Sequence, residues 1–371
     1  MMNKIMNMRI QTLLAIVTLT ILSCTRQKPV SEPPEEKPSP VIDRTAFAKG
    51  ADISWSTELN SKGYKFHNAQ GHEMELTRLM RQIGMNSIRL RVWVNPDNGW
   101  NGEADVINKA LIAEKLGMRI MIDFFYSDSW ADPSHQIIPH AWADYDLDKM
   151  KKAVYSHTEE LLSKLKTVGV QVEWVQVGNE TTNGMLWPMG ELGTIPPPEG
   201  HEASSNPRNY AELTTSGYEA VKSVYPEAKV IVQLDRGDDA VRFDKVFDWL
   251  KEYGGKYDLI GMSFYPKYSP PFSQESPIEW RESTDACLAN IKRLNEKYGC
   301  KVIVCETGMP CDDPQTAYEM LSYFIKNTKA TGVCEGVFYW EPAAEKSNTD
   351  YTLGAFENGT PTAALDAFTE N

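Results

Sequence analysis

Lys301-Val302-Ile303-Val304-Cys305-Glu306 is an apolar run closed by a carboxylate, and Val230-Ile231-Val232 is its counterpart upstream. Neither run alternates apolar with polar residues, so both read as strands buried on two faces, as in a parallel sheet. Working outward, the same kind of segment recurs. Strands are expected at Lys49–Ser54, Ser87–Trp93, Arg119–Tyr126, Glu173–Gly178, Lys229–Leu234, Leu259–Tyr265, Lys301–Cys305 and Gly336–Trp340. Amphipathic helical patterns lie between them, at Glu75–Ile83, Val106–Leu116, Lys149–Val168, Ala211–Val224, Asp244–Tyr253, Thr284–Tyr298 and Gln315–Thr328.

Strand followed by helix, repeated over about 320 residues, predicts an α/β fold of the (β/α)8 TIM-barrel class. A doubly wound sheet is the competing architecture, but no Gly-rich phosphate fingerprint follows the first strand. The strands end in Arg89, Arg91, Trp93, Asp123, Tyr126, Glu180, Asp235, Tyr265, Glu306, Trp340 and Glu341. A barrel gathers those C-terminal ends at one mouth, where such folds place their sites.

The amino terminus is read as a targeting segment. Lys4 and Arg9 precede the apolar stretch Ile10 to Leu22, which is too short to span a bilayer as a helix. Ile21-Leu22-Ser23-Cys24 resembles the lipobox of bacterial lipoproteins, with cleavage before Cys24 and lipid on its sulfur. Residues 1–23 are therefore the expected signal peptide and 24–45 a lipidated cysteine and flexible linker. Residues 46–371 are the expected barrel domain. The linker is rich in Pro, Glu, Lys and Ser without apolar periodicity, as a tether should be. The expected location is the outer membrane, on its periplasmic or cell-surface face, with the chain acting as a monomer.

Loss of the signal, which holds two cations and no acid, would take the net charge from −13 to −15. Such acidity argues against nucleic acid and against a polyanionic substrate, unless a local basic cleft overrides it. Beyond Cys24 stand Cys287, Cys300, Cys305, Cys311 and Cys334. An odd count leaves at least one thiol free; Cys300 with Cys334 is the expected pair, since each opens one of two successive strands. No Cys/His cluster has zinc spacing, so no cofactor is expected. Glu345 to Asp350 is polar enough for a structural Ca²⁺, yet lacks a recognisable ligand spacing.

Two glutamates at strand ends matter because glycosidic hydrolysis needs two carboxylates. A separation of about 5–5.5 Å suits retention of configuration, and about 6.5–9.5 Å leaves room for an inverting water. Asn179, just before Glu180, either bonds a sugar 2-hydroxyl or caps a turn. Sugar rings stack their C–H faces on aromatics, which makes Trp93, Trp130, Trp187 and Trp340 candidates at strand ends and long loops. Trp174 and Trp249 lie inside strand or helix patterns and are read as core. Asp128 and Asp132 either bond sugar hydroxyls or structure their loop. Tyr265 is a candidate contact or a core aromatic. Of Arg89 and Arg91, one alone is expected to point into the barrel.

The residues also carry a resemblance. Asn179-Glu180 after one strand and Glu306 after another resemble the acid/base and nucleophile of the large clan of retaining (β/α)8 glycosidases. A finer likeness is to the endo-β-1,4-galactanases of glycoside hydrolase family 53. It rests on Gly50-Ala-Asp-Ile-Ser54, Arg89-Leu-Arg-Val-Trp-Val-Asn-Pro96, Tyr126-Ser-Asp-Ser-Trp-Ala-Asp-Pro133, Gln136 with Pro139 and Trp142, Val175-Gln-Val-Gly-Asn-Glu180, Gly184-Met-Leu-Trp187 and Tyr257-Asp-Leu-Ile-Gly261. The resemblance implies that Glu180 is the acid/base and Glu306 the nucleophile in cleavage of β-1,4-galactan, the side chains of pectic arabinogalactan. It also selects Arg89 over Arg91. Phe125 and Gln233 stand where this family commonly or often carries His. The alternatives are a sister mannanase or glucanase, and a catalytically silent glycan-binding lipoprotein.

Overall fold

In the computed structural model, described for residues 42–193, 200, 202, 204–266 and 280–370, eight parallel strands close into a barrel. They are β1 (Ala48–Asp52), β2 (Ser87–Val92), β3 (Arg119–Phe124), β4 (Val172–Val177), β5 (Lys229–Leu234), β6 (Leu259–Phe264), β7 (Val302–Thr307) and β8 (Cys334–Trp340). Each strand pairs with its sequence neighbours, and β8 closes on β1 with Gly336 beside Ala48 and Trp340 beside Asp52. The (β/α)8 expectation is therefore met, and so are all eight strands, with ends displaced by at most two residues. The expected signal peptide, Cys24 and nearly all of the linker lie outside the described residues.

Helices α1 (Ser56–Ser61), α2 (Leu76–Ile83), α3 (Glu103–Lys115), α4 (Leu147–Thr167), α5 (Pro207–Val224), α6 (Ala240–Tyr253), α7 (Trp280–Tyr298), α8 (Pro314–Ala330) and α9 (Asp366–Glu370) accompany the strands. Several start on caps that the sequence supplies. Asp146, Asp239 and Asp313 accept backbone N–H groups of the first turns of α4, α6 and α8, and Glu75 does so for α2. Among the described residues, no helix is long and apolar enough to cross a membrane.

The barrel interior is filled in layers. Ala48, Met121, Trp174, Ile231, Leu259, Ile303, Cys305 and Phe338 form its apolar floor. Gly50 has no side chain because a Cβ there would lie 2.3 Å from the Phe338 ring. Two residues further along their strands, Met121, Trp174 and Ile231 are succeeded by Asp123, Gln176 and Gln233, all fully buried. A period of two keeps each successor on the same inward face, so a polar layer sits on the apolar one.

The same period corrects one expectation. Arg89 and Arg91 are two apart, so they share a face, and both are fully buried within the barrel. The cysteine expectation is also overturned: Cys287, Cys300, Cys305, Cys311 and Cys334 are all free. Register explains why. Cys334 lies beside Val302, which leaves Cys300 two residues down the neighbouring chain, at about 8 Å by strand geometry. Disulfides need Cα atoms within about 7 Å.

Candidate active site

Glu306 owes its position to an irregularity in β7. Gly261 pairs with Ile303 but Ser263 pairs with Glu306, so two steps along β6 match three along β7. The extra residue is a bulge, and it turns Glu306 inward although Ile303 and Cys305 already point there. Three donors then converge on a carboxylate only 5% exposed. Arg89 Nη2 lies 2.8 Å from Oε1, Gln233 Nε2 donates to Oε1 at 3.2 Å, and the Tyr265 hydroxyl donates to Oε2 at 2.9 Å. Burial, then the Glu306 charge, pushes the Tyr265 hydroxyl well up, which keeps it a donor.

Arg89 is the hub of the polar layer. Its guanidinium also reaches Asp52 at 2.8 Å, Asp123 at 2.7 Å and the side-chain oxygen of Asn179 at 2.9 Å. Burial works against its charge, and the carboxylates of Asp123, Glu306 and Asp52 more than offset that. Asn179 is pinned in turn: its oxygen also accepts from Gln176 at 3.2 Å, and its nitrogen donates to Ala131 O at 2.8 Å. An amide has two N–H groups, so one remains for a ligand hydroxyl.

Glu180 follows β4 through a left-handed turn, Gly178 at φ 83° and Glu180 at φ 44°, ψ 51°. Among the described residues no ion pair involves Glu180. Burial raises its carboxyl pKa well above the usual range, and the charges of Glu306 and Asp235 raise it further. The two glutamates thus stand at one mouth in opposite settings, one surrounded by donors and the other desolvated beside negative charge.

The other strand-end acids are occupied. Asp52 and Asp123 face Arg89, while Glu341 lies 3.4 Å from Arg91 and accepts the Trp55 N–H. Asp235 is bound by Arg242 and by the Thr182 hydroxyl. Glu180 and Glu306 line a cleft of about 810 Å³, together with the Arg242-bound Asp235 and with Trp130, Asp132, Tyr265 and Trp340.

The remaining candidates separate. Trp130, 39% exposed, lies with its ring 4.4 Å from the Arg91 guanidinium and borders both this cleft and a second hollow lined by Trp55, Trp93 and Trp100. Trp187 is 9% exposed, donates its indole N–H to Asn183 O, and does not line the cleft, because its loop folds inward as a short hairpin. Asp128 is a loop clamp: its carboxylate accepts from the backbone N–H groups of Asn95 at 3.0 Å and His140 at 2.8 Å. Asp132 lines the cleft but also accepts from Ser134 N and lies 3.1 Å from the His135 ring nitrogen. Phe125 is buried against Arg91 and Trp130. Trp174 is buried in the barrel floor, and Trp249 is a partly buried ring packed against the larger apolar core outside that floor.

The family model for glycosyl hydrolase family 53 matches residues 48–369. The chain belongs to that family. Among relatives of this family-53 chain is a probable arabinogalactan endo-β-1,4-galactanase A of Neosartorya fischeri. It is 30% identical over 322 residues, covering 80% of this chain and 83% of the relative. A solved fungal β-1,4-galactanase superposes with a TM-score of 0.74 at 27% identity, over 88% of this chain and all of that one. The family-53 catalytic domain of Ignisphaera aggregans gives 0.75 at 25% identity, over 90% and 98%.

This family-53 glycoside hydrolase carries site residues that sequence reasoning passed over. Gln176 and Ser263 belong to the polar layer, and Arg236, Arg242 and Tyr351 line the cleft. A polar residue inside an otherwise apolar strand run was a usable signal for the first two. Tyr351, beyond the last barrel strand, carried none. Glu345 spends its oxygens on Ser347 and the Gly359 N–H, and no cluster of three or more His, Cys, Asp or Glu suited to a metal occurs among the described residues.

Proposed function

We propose that this chain is a retaining endo-β-1,4-galactanase acting on galactan and arabinogalactan side chains of pectin, exported and lipid-anchored at Cys24. The observation that carries the reading is the pair at the barrel mouth. Of the strand-end acids there, only Glu180 and Glu306 face the cleft without being neutralised by a dedicated cation, since Arg89 is shared among three carboxylates. The relatives' names supply the substrate class.

In the proposed reaction an oxygen of Glu306 attacks the anomeric carbon while Glu180 passes its proton to the departing glycosidic oxygen. A carbon–oxygen bond to Glu306 forms as the glycosidic bond breaks. Glu180, now a carboxylate, takes a proton from water, whose oxygen displaces Glu306 and restores both side chains. Arg89 and Tyr265 hold the nucleophile oriented, and the free N–H of Asn179 faces the sugar 2-hydroxyl. Trp130 and Trp340 offer rings to sugar faces, with Trp93 behind Trp130.

A panel of galactan, mannan and β-glucan with product sizing tests the substrate. Short β-1,4-galacto-oligosaccharides released from galactan alone are expected. Release from mannan or glucan instead would make it a sister endo-glycanase, and release from none would make it a binding protein. Lipidation at Cys24 is supported by Leu22-Ser23-Cys24 and the Pro/Glu-rich tether, and the outer membrane is the proposed location. Lipid labelling that persists in Cys24→Ala would overturn it.

A further inference from the structure

Glu180 occupies left-handed backbone, where the Cβ of a non-glycine residue crowds the next carbonyl. Such a conformation persists only when its surroundings impose it. The peptide before Glu180 is held by Gln136, whose side-chain nitrogen donates to Asn179 O at 2.8 Å. Glu180's own N–H is donated to the side-chain oxygen of Gln233 at 2.7 Å.

That carboxamide uses both ends. Its oxygen also accepts from Gln176 Nε2 at 2.8 Å, and its nitrogen donates to the Ser263 hydroxyl at 2.7 Å and to Glu306 at 3.2 Å. The four distances decide which contact matters. Glu306 would lose its longest donor and keep Arg89 at 2.8 Å and Tyr265 at 2.9 Å. Glu180 would lose the short bond that fixes its strained peptide, and its side chain follows its backbone. Gln233 is fully buried, so water does not replace the bond readily.

We propose that Gln233 is the positioning residue of the acid/base: through the N–H of Glu180 it sets where that carboxyl points. This deepens the proposed function and rests on Glu180 being the proton donor. An amide suits the task because it presents acceptor and donor together at every working pH.

The test compares two substrates. Galactan needs a proton on its leaving oxygen, whereas a dinitrophenyl β-galactobioside does not. In Gln233→Met, kcat/KM is expected to fall about 100-fold on galactan and less than about fivefold on the aryl substrate, with KM within about threefold. Gln233→Asn keeps the carboxamide one methylene short of the N–H; it should show the same selective loss and serves if the Met variant does not fold. Equal losses on both substrates in both variants, or no loss in either, overturn the proposal. Glu180→Ala is measured beside them. Should it discriminate between the substrates while the Gln233 variants do not, only the positioning role fails. Should it lose equally on both, the acid/base assignment fails and takes the positioning role with it.

Discussion

Glu180 and Glu306 are the same residue made different by their neighbours. Glu306 meets a guanidinium, a phenol and an amide; Glu180 meets low-dielectric walls and the charges of Glu306 and Asp235. With its pKa raised, Glu180 stays protonated to higher pH, so kcat/KM should hold until the pH climbs through that raised value and then fall. Removing a negative neighbour lowers it. Asp235→Asn is therefore expected to move the alkaline limb of the kcat/KM profile toward acid pH; a limb that stays put or moves alkaline contradicts the electrostatic origin. Arg89 offers a second reading at this scale. Arg89→Met strips the cation from among three buried acids, and urea unfolding at pH 7 should show a loss of about 3–5 kcal/mol. A loss below about 1 kcal/mol would mean those acids are not held by Arg89.

At the scale of elements, strands set position and loops set contact. Apolar runs such as Val302-Ile303-Val304 made the strands legible, and a polar or aromatic residue closing each run marked the mouth. Two features escaped that reading, the second of them for a physical reason. The inward pairing of Arg89 with Arg91 follows from the strand's period of two and was open to inspection. The β7 bulge that turns Glu306 inward is a register event between two strands, which one strand's sequence does not display. Loops were harder still: Trp187 and Trp130 both sit on long connections, yet one is folded under and the other rests over Arg91. The loop bearing Trp130 is tied to its neighbour through Asp128. Asp128→Ala should release that tie and raise KM for galactan up to about tenfold with kcat within about twofold. A fall in kcat with KM unchanged would place Asp128 in the chemistry rather than in the loop.

The domain formed by the described residues is a barrel whose lower half is packed hydrocarbon and whose upper half is a connected polar layer opening on a cleft. The architecture was readable because strand and helix alternate throughout; the thiol state was not, because pairing depends on register between strands. With all five of its cysteines free, this domain is held by packing, hydrogen bonds and ion pairs, without a disulfide. Its melting temperature should be the same within about 1 °C with and without reductant. A drop of several degrees in reductant would reveal a disulfide after all.

The central claim is that Glu306 becomes covalently joined to the sugar. A galacto-oligosaccharyl fluoride with fluorine in place of the ring 2-hydroxyl forms such an adduct quickly and releases it slowly. Peptide mass analysis after inactivation should find the added sugar on the peptide containing Val304-Cys305-Glu306, with fragmentation placing it on Glu306. A label on Glu180 or Asp52 instead, or full activity with no label while galactan is cleaved, would contradict the account.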